Sequence, residues 1–146
     1  MVWCFQRRFV KAPSGRQRVN VLAALNAITH EILTVQNLTY ITAETVCELL
    51  RLLASSQPCI PVPVILANAR YQRWALVQTV AATLGIALLY LPTYSPNLHL
   101  IERFWKFVKK PCLDSKYYPD RASFHQAIMT CIAQAPSCHK EELESL

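Results

Sequence analysis

Within residues 17–26, Val19, Val21, Ala23 and Leu25 occupy every second position, and the positions between them change from polar (Arg18, Asn20) to apolar (Leu22, Ala24), which favours a mostly buried strand. A period of two residues is typical of a β-strand. Residues 31–36 form a second β-prone segment, which predicts an antiparallel hairpin with its turn at residues 26–30. This turn lacks the glycine that such connections usually contain.

The pattern changes to a helical period after Thr42, a residue type that often caps the start of a helix. A single apolar stripe at helical spacing predicts a helix that ends near residue 54 and packs on a sheet; its members are Val46, Leu49, Leu50 and Leu53.

Two short apolar runs, residues 61–66 and 86–91, predict buried strands. Pro61 and Pro63 restrict the first half of the earlier run to a strand start or an unpaired position. A helix is predicted over residues 72–84, and Gly85 stands where a left-handed cap is needed. Its predicted inward positions are Leu76, Val77, Val80 and Leu84. The order β-β-α-β-α-β predicts a mixed α/β sheet with parallel central strands.

Two further helices are predicted after a proline-rich loop. The first covers residues 98–110 and is expected to stop at Pro111; its apolar face is Ile101, Phe104, Trp105 and Val108. The second covers residues 123–133, with an apolar side formed by Phe124, Ile128, Cys131 and Ile132. Phe104 and Trp105 could stack on unpaired bases, but their spacing favours a core position.

The composition indicates one domain over residues 1–146, with an apolar fraction of 53% that excludes a disordered chain. No apolar run approaches the roughly 20 residues of a membrane span, and the first ten residues do not resemble a signal peptide. We therefore expect a cytoplasmic protein. The six cysteines form no CxxC pair and are expected to be free thiols, mostly buried as small apolar side chains.

The net charge of +6 is concentrated in two basic regions. Residues 1–30 contain five Arg and Lys residues and no acid, and a second group follows Glu102, consisting of Arg103, Lys106, Lys109 and Lys110. Such a surface suits a polyphosphate partner, although an ordinary solvated face has the same composition. Arg70 and Arg73 open a predicted helix, where phosphates are often bound.

Carboxylates are scarce before residue 114, because no Asp occurs there and the only Glu residues are Glu31, Glu44, Glu48 and Glu102. Glu102 falls in the first or second turn of a helix that follows a predicted buried strand. Ligand sites in α/β sheets collect at such places. Glu102 could hold a divalent cation there, or simply pair with Lys106 one turn later.

The segment Leu91–Trp105, LPTYSPNLHLIERFW, resembles the hallmark motif of DDE transposases of the mariner superfamily, especially their bacterial insertion-sequence branch. His99 and Leu100 stand where the family often has Asn-Pro. The resemblance implies that Glu102 is the third member of an Asp-Asp-Glu triad that holds Mg²⁺ or Mn²⁺. It also implies DNA partners, namely transposon ends and target, a possible homo-oligomer, and a bacterial protein associated with the nucleoid.

A second resemblance lies in Val64–Arg70, VILANAR, which matches the family segment that contains the second catalytic Asp followed by Asn. Ala67 occupies the Asp position, and thirty-four residues separate it from Glu102, as in many family members. Residues 14–26 and Trp3 resemble the strand region that precedes it. The resemblance thus implies an RNase H-like mixed sheet flanked by helices, with the first strand and its Asp missing.

With one of three carboxylates present, we expect a transposase catalytic domain fragment that binds metal weakly and is catalytically defective. The alternative is a non-catalytic DNA-binding or partner-binding remnant of a mobile element. An unrelated α/β enzyme is disfavoured because the chain has two glycines and no Gly-rich phosphate loop.

Overall fold

The computed structural model of the protein describes residues 19–56, 63–92, 100–113, 116 and 118–138. Four strands and four α-helices lie within them: β1 Asn20–Leu25, β2 Ile32–Asn37, α1 Ala43–Ser56, β3 Pro63–Leu66, α2 Ala75–Thr83, β4 Ala87–Tyr90, α3 Leu100–Leu113 and α4 Arg121–Cys138. The mixed α/β class predicted from the sequence is confirmed.

Strands β1 and β2 form the predicted antiparallel hairpin, in register from Asn20 opposite Asn37 to Leu25 opposite Ile32. The turn closes without glycine because the side chain of Asn26 adds to the backbone hydrogen bonds, in which Asn26 N–H donates to Glu31 and His30 N–H donates to Asn26. Its Oδ1 accepts hydrogen bonds from the N–H groups of Ile28 at 2.9 Å and Thr29 at 3.0 Å. His30 supplies the left-handed residue, with φ of 59°.

Helix α1 begins directly after Thr42, whose carbonyl accepts the N–H of Val46 at 3.2 Å. Its apolar stripe is buried as predicted, apart from Leu53, which is half-buried at the margin. The stripe packs with α2 and the start of β4 into a first core cluster, consisting of Ala43, Val46, Cys47, Leu50, Val77, Ala81 and Ile86.

Strands β3 and β4 pair in parallel, with Pro63 opposite Ala87 and Leu66 opposite Tyr90. Among the described residues they form a sheet separate from β1–β2, so the single mixed sheet of the prediction is not seen there. The prediction that both strands are buried is half wrong. Val64 and Leu88 pack on the first cluster, but on the opposite face Ile65 is 62% and Leu89 53% exposed.

Helix α2 is shorter than predicted. Residues Arg70–Arg73 form a 3₁₀ turn, and Trp74 adopts an extended conformation (φ −64°, ψ 145°) that interrupts the helix before Ala75. Val77 and Ala81 are buried, and Val80 and Leu84 pack against the first cluster as predicted, while Leu76 is 44% exposed. Leu76 was therefore wrongly predicted as an inward position.

Helices α3 and α4 pack on each other and on the hairpin, where they bury a second core cluster: Phe104, Val108, Cys112, Ile132 and Ala135. The predicted stop at Pro111 is wrong, because α3 continues to Leu113. Cys112 is 1% exposed in this cluster, so extending the helix past the proline gains apolar burial. Helix α4 is likewise longer than predicted at both ends.

The thiol prediction holds for Cys47, which is free and buried. It is wrong for Cys112 and Cys131, which form a disulfide between α3 and α4. The two residues meet because both face the second cluster.

Several sequence predictions lie outside the described residues: those on residues 1–18, on Pro61, on the proline-rich loop before α3 and on His99. The RNase H-like strand arrangement therefore stays a prediction. None of the described helices has the length and hydrophobicity needed to cross a membrane.

Candidate functional site

The carboxyl ends of β3 and β4 lie side by side, because the strands are parallel and Leu66 is paired with Tyr90. The N–H of Leu91 still donates to the carbonyl of Leu66 at 3.0 Å, so the pairing extends past the last strand residue. Ala67 follows β3 directly and is exposed. The predicted site position thus lies at the edge of a parallel sheet where α/β proteins usually bind ligands.

Asn68 turns the chain away from this edge in the left-handed conformation, with φ of 68°. Asn adopts this region more readily than most residues. Its side-chain oxygen accepts a hydrogen bond from Nε of Arg73. The guanidinium carbon of Arg73 also lies 5.1 Å from the ring centroid of Tyr90, at the end of β4. Asn68, Arg73 and Tyr90 therefore form one connected group across the two strand ends.

Gln72 holds the loop beneath this group and is 94% buried, with only 6% exposure. Its Oε1 accepts the N–H of Ala69 at 2.9 Å, and its own N–H donates to the Ala69 carbonyl at 2.9 Å. Its carbonyl accepts the Tyr90 hydroxyl at 3.1 Å. Sequence reasoning assigned no role to Gln72 or Tyr90. The sequence did contain a hint for Tyr90, because its hydroxyl lies at the end of an apolar strand and needs a hydrogen-bond partner if it is partly buried.

Arg70 and Arg73 both lie on the 3₁₀ turn and are exposed, so the structure brings these two predicted DNA contacts together beside Ala67. Arg73 is fixed by Asn68 and Tyr90. Arg70 has no hydrogen bond, ion pair or ring contact with any described residue.

Glu102 lies in the first turn of α3 and is exposed. Glu102 forms no ion pair with Lys106, so the alternative prediction of a pairing between these two side chains is not supported. Helix α3 packs mainly against α4 and β1. Within the described ranges, no hydrogen bond or ion pair connects Glu102 to Ala67, Asn68 or Arg73.

The remaining predicted DNA contacts form a basic face on α3. Lys106, Lys109 and Lys110 are exposed on the side away from the buried Phe104 and Val108. Arg103 is half-buried and is engaged in a contact of its own. The lysines are therefore accessible to phosphates. Trp105 is half-buried and packs on the second cluster, with its ring centroid 5.4 Å from that of Phe104, in line with the core position that its spacing favoured.

The described residues around Ala67 do not fit a two-metal centre. A pair of cations about 4 Å apart needs several carboxylates, and the methyl group of Ala67 provides no ligand. In the part of the chain that the structure describes, no three His, Cys, Asp or Glu residues are grouped so that they could hold a metal ion. Asn68 provides an amide oxygen, but the Arg73 guanidinium already donates to it.

A comparison with curated proteins found no match. A comparison with protein families found that the model for the DDE superfamily endonuclease matches residues 6–125, which include the β3–β4 edge and Glu102. DDE endonuclease domains act on DNA and generally use divalent metal ions. The match spans more than four fifths of the sequence, and the chain thus belongs to the DDE superfamily endonuclease family.

Proposed function

We propose that this chain is the catalytic domain, or a fragment of one, of a DDE transposase from the bacterial insertion-sequence branch of the mariner superfamily. In this proposal it retains DNA binding and has lost metal-dependent strand cleavage. The observation that supports the loss is Ala67, which stands where the family places its second catalytic Asp.

The neighbourhood of Ala67 adds a physical reason. A divalent cation there would face the Arg73 guanidinium, which is hydrogen-bonded to Asn68 immediately after Ala67. The positive charges of the cation and the guanidinium would repel each other. No Asp or Glu of the described residues offsets the guanidinium charge by an ion pair. The edge therefore favours an anion over a cation.

The proposed DNA contacts are the exposed basic side chains at two places. Arg70 and Arg73 flank the β3–β4 edge, and the α3 face consists of Lys106, Lys109 and Lys110, with Arg103 beside it. Each phosphate neutralised by such a side chain releases counterions, so binding should weaken steeply with salt. Homo-oligomer formation and Glu102 as the remaining metal ligand belong to the same proposal.

The test is a strand-cleavage assay with Mg²⁺ or Mn²⁺ on DNA that carries the terminal sequences of the element encoding this chain. We compare the wild type, Glu102→Gln and Ala67→Asp. We expect no cleavage by the wild type above the level of Glu102→Gln. Ala67→Asp should bind Mn²⁺ more tightly than the wild type, as measured by calorimetry, because it adds a hard oxygen ligand.

Robust, Glu102-dependent cleavage by the wild-type chain would contradict the proposed loss of activity. A salt-dependent DNA titration separates the remaining alternatives. Binding without any metal response supports a non-catalytic DNA-binding domain, whereas absence of DNA binding identifies a remnant that has lost this function too.

A further inference from the structure

We propose that Arg73 is a preoriented binding group for a single phosphodiester of the nucleic-acid backbone, and that Tyr90 is its positioning residue. This inference rests on the proposed DNA binding and assigns it a defined place. It concerns binding without a metal ion, at the carboxyl edge of β3 and β4.

The orientation of Arg73 follows from two contacts on different parts of its guanidinium group. Nε donates to Oδ1 of Asn68, and the central carbon lies over the Tyr90 ring, 5.1 Å from its centroid. An arginine has five N–H donors, and the Asn68 bond uses one of them. The Nη groups have no described partner, and the residue is exposed, so these donors face solvent in a fixed plane.

The backbone beneath Arg73 is held as well. Its carbonyl accepts Nε2 of Gln78 at 3.1 Å, and the preceding carbonyl, that of Gln72, accepts the Tyr90 hydroxyl at 3.1 Å. Gln72 is buried and bonded to Ala69 on both its backbone and its side chain. Little freedom of the side chain remains to be lost when a ligand binds, and preorganisation of this kind increases affinity.

The ligand class follows from the shape and charge of the open donors. A planar fork of N–H groups matches two oxygens of a phosphate, which it can bind through two parallel hydrogen bonds. No Asp or Glu of the described residues pairs with the Arg73 guanidinium. Because the chain belongs to a family of DNA-acting domains, a backbone phosphodiester is the anion that this edge would meet.

Arg70 provides a matched comparison on the same 3₁₀ turn. It has the same charge and is also exposed, but it makes no described contact that would orient it. If charge alone matters, replacing either arginine should weaken DNA binding equally. If orientation matters, the larger loss of affinity should occur at Arg73.

The experiment measures binding of a 20-base-pair DNA of arbitrary sequence by fluorescence anisotropy, in EDTA, over a range of salt concentrations. The variants are Arg73→Ala, Arg73→Lys, Arg70→Ala, Tyr90→Phe and Tyr90→Leu. Circular dichroism and thermal unfolding of each variant verify the fold. Arg73 is an exposed side chain, so its two variants should keep the wild-type fold.

We expect Arg73→Ala to weaken binding on the order of tenfold and to reduce the slope of log K against log salt by about one. Arg70→Ala should weaken binding less than about threefold. Arg73→Lys should weaken binding nearly as much as Arg73→Ala while keeping the wild-type salt slope, because lysine keeps the charge but not the planar fork. Tyr90→Phe keeps the ring but loses the hydroxyl bond to Gln72, so it should weaken binding less than Tyr90→Leu, which loses both contacts.

Equal losses for Arg73→Ala and Arg70→Ala, in a wild type that binds DNA, would overturn this inference and leave the proposed function intact. Wild-type affinity of Arg73→Lys would overturn the oriented fork. A wild-type chain without DNA binding would overturn the proposed function, and this inference with it.

Discussion

At the scale of single residues, three of the described positions have a left-handed backbone, and the chain meets them with three different residue types. His30, Asn68 and Gly85 have φ values of 59°, 68° and 69°. Asn68 lies in the candidate site, where its side chain also accepts a hydrogen bond from Arg73. Gly85 ends α2, and there the chain uses the residue for which the conformation has no steric cost.

Gly85→Ala should therefore lower the free energy of unfolding by about 1 kcal/mol, the cost of a left-handed conformation for a residue with a Cβ. No crowding adds to this value, because a Cβ at position 85 would meet nothing within 4 Å. Gly85→Asn should lose less, since Asn tolerates the conformation better. Urea unfolding measures both, and equal losses for the two variants would contradict a purely conformational origin.

A second prediction at this scale concerns Phe104, whose side chain is fully buried in the second cluster. Phe104→Ala should reduce the free energy of unfolding by about 3–5 kcal/mol, because it removes a large apolar side chain and leaves a cavity. Phe104→Leu should lose much less, since it fills most of that space. The matched surface variant Leu52→Ala, at a position 37% exposed, serves as the control. A loss at Phe104 as small as at Leu52 would place Phe104 outside the core.

At the scale of elements, the start of α4 shows how one side chain organises a helix end. Oδ1 of Asp120 accepts the N–H of Ser123 at 2.7 Å, and Oδ2 accepts its hydroxyl at 3.0 Å. The bond from the Ser123 N–H is the main reason that the pKa of Asp120 lies below its ordinary value, and the Ser123 hydroxyl lowers it further. Tyr118 packs nearby on Phe124, with ring centroids 5.6 Å apart.

The pH dependence of this cap has a defined sign. A carboxyl group whose pKa is lowered by folding stabilises the fold fully above its unfolded-state pKa, about 3.9, and the contribution disappears as the pH falls through the folded-state pKa. Asp120→Asn keeps an acceptor at this position but does not titrate. We expect the difference in melting temperature between wild type and Asp120→Asn to shrink as the pH is lowered from 6 to 3. A constant difference over that range would show that the charged cap does not stabilise α4.

The elements could be predicted from the sequence where periodicity alone determines them. The strand alternation in β1 and the stripes of α1 and α3 each follow from local spacing, and their buried positions Val46, Phe104 and Val108 were found this way. The break at Trp74 and the continuation of α3 to Cys112 could not be predicted, because they depend on tertiary burial. Nor could the exposure of Ile65, since a strand that is apolar on both faces does not reveal which face will be covered.

The candidate site was predictable only in part, for a similar reason. The resemblance to DDE transposases pointed to Ala67 and Glu102, and the charge pattern pointed to the basic residues. Neither indicated the contacts among them. The Arg73–Tyr90 pair joins residues that are seventeen positions apart in sequence and meet only because β3 and β4 are parallel neighbours. Local patterns carry no information on such a pairing.

At the scale of the whole molecule, strand β1 belongs to both cores. Leu22 packs on the first cluster, while its neighbour Val21 and also Leu25 pack on the second. Alternate side chains of a strand point to opposite faces, so a single strand connects the α1–α2 layer to the α3–α4 layer. The β3–β4 pair has helices on one face only, and its other face, with Ile65 and Leu89, is exposed in the described structure.

Because β1 is shared, we expect the two clusters to unfold together rather than independently. Val77 is fully buried in the first cluster, and Val77→Ala should reduce the free energy of unfolding by roughly 2 kcal/mol. Trp105 packs on the second cluster, so its fluorescence reports unfolding there once Trp3 and Trp74 are replaced by Phe. In that background, Val77→Ala should shift the urea midpoint of Trp105 fluorescence by the same amount as the midpoint of far-UV circular dichroism, because a cooperative transition gives coincident curves. If the circular dichroism midpoint moves and the Trp105 midpoint does not, the cores are separate units and β1 does not couple them.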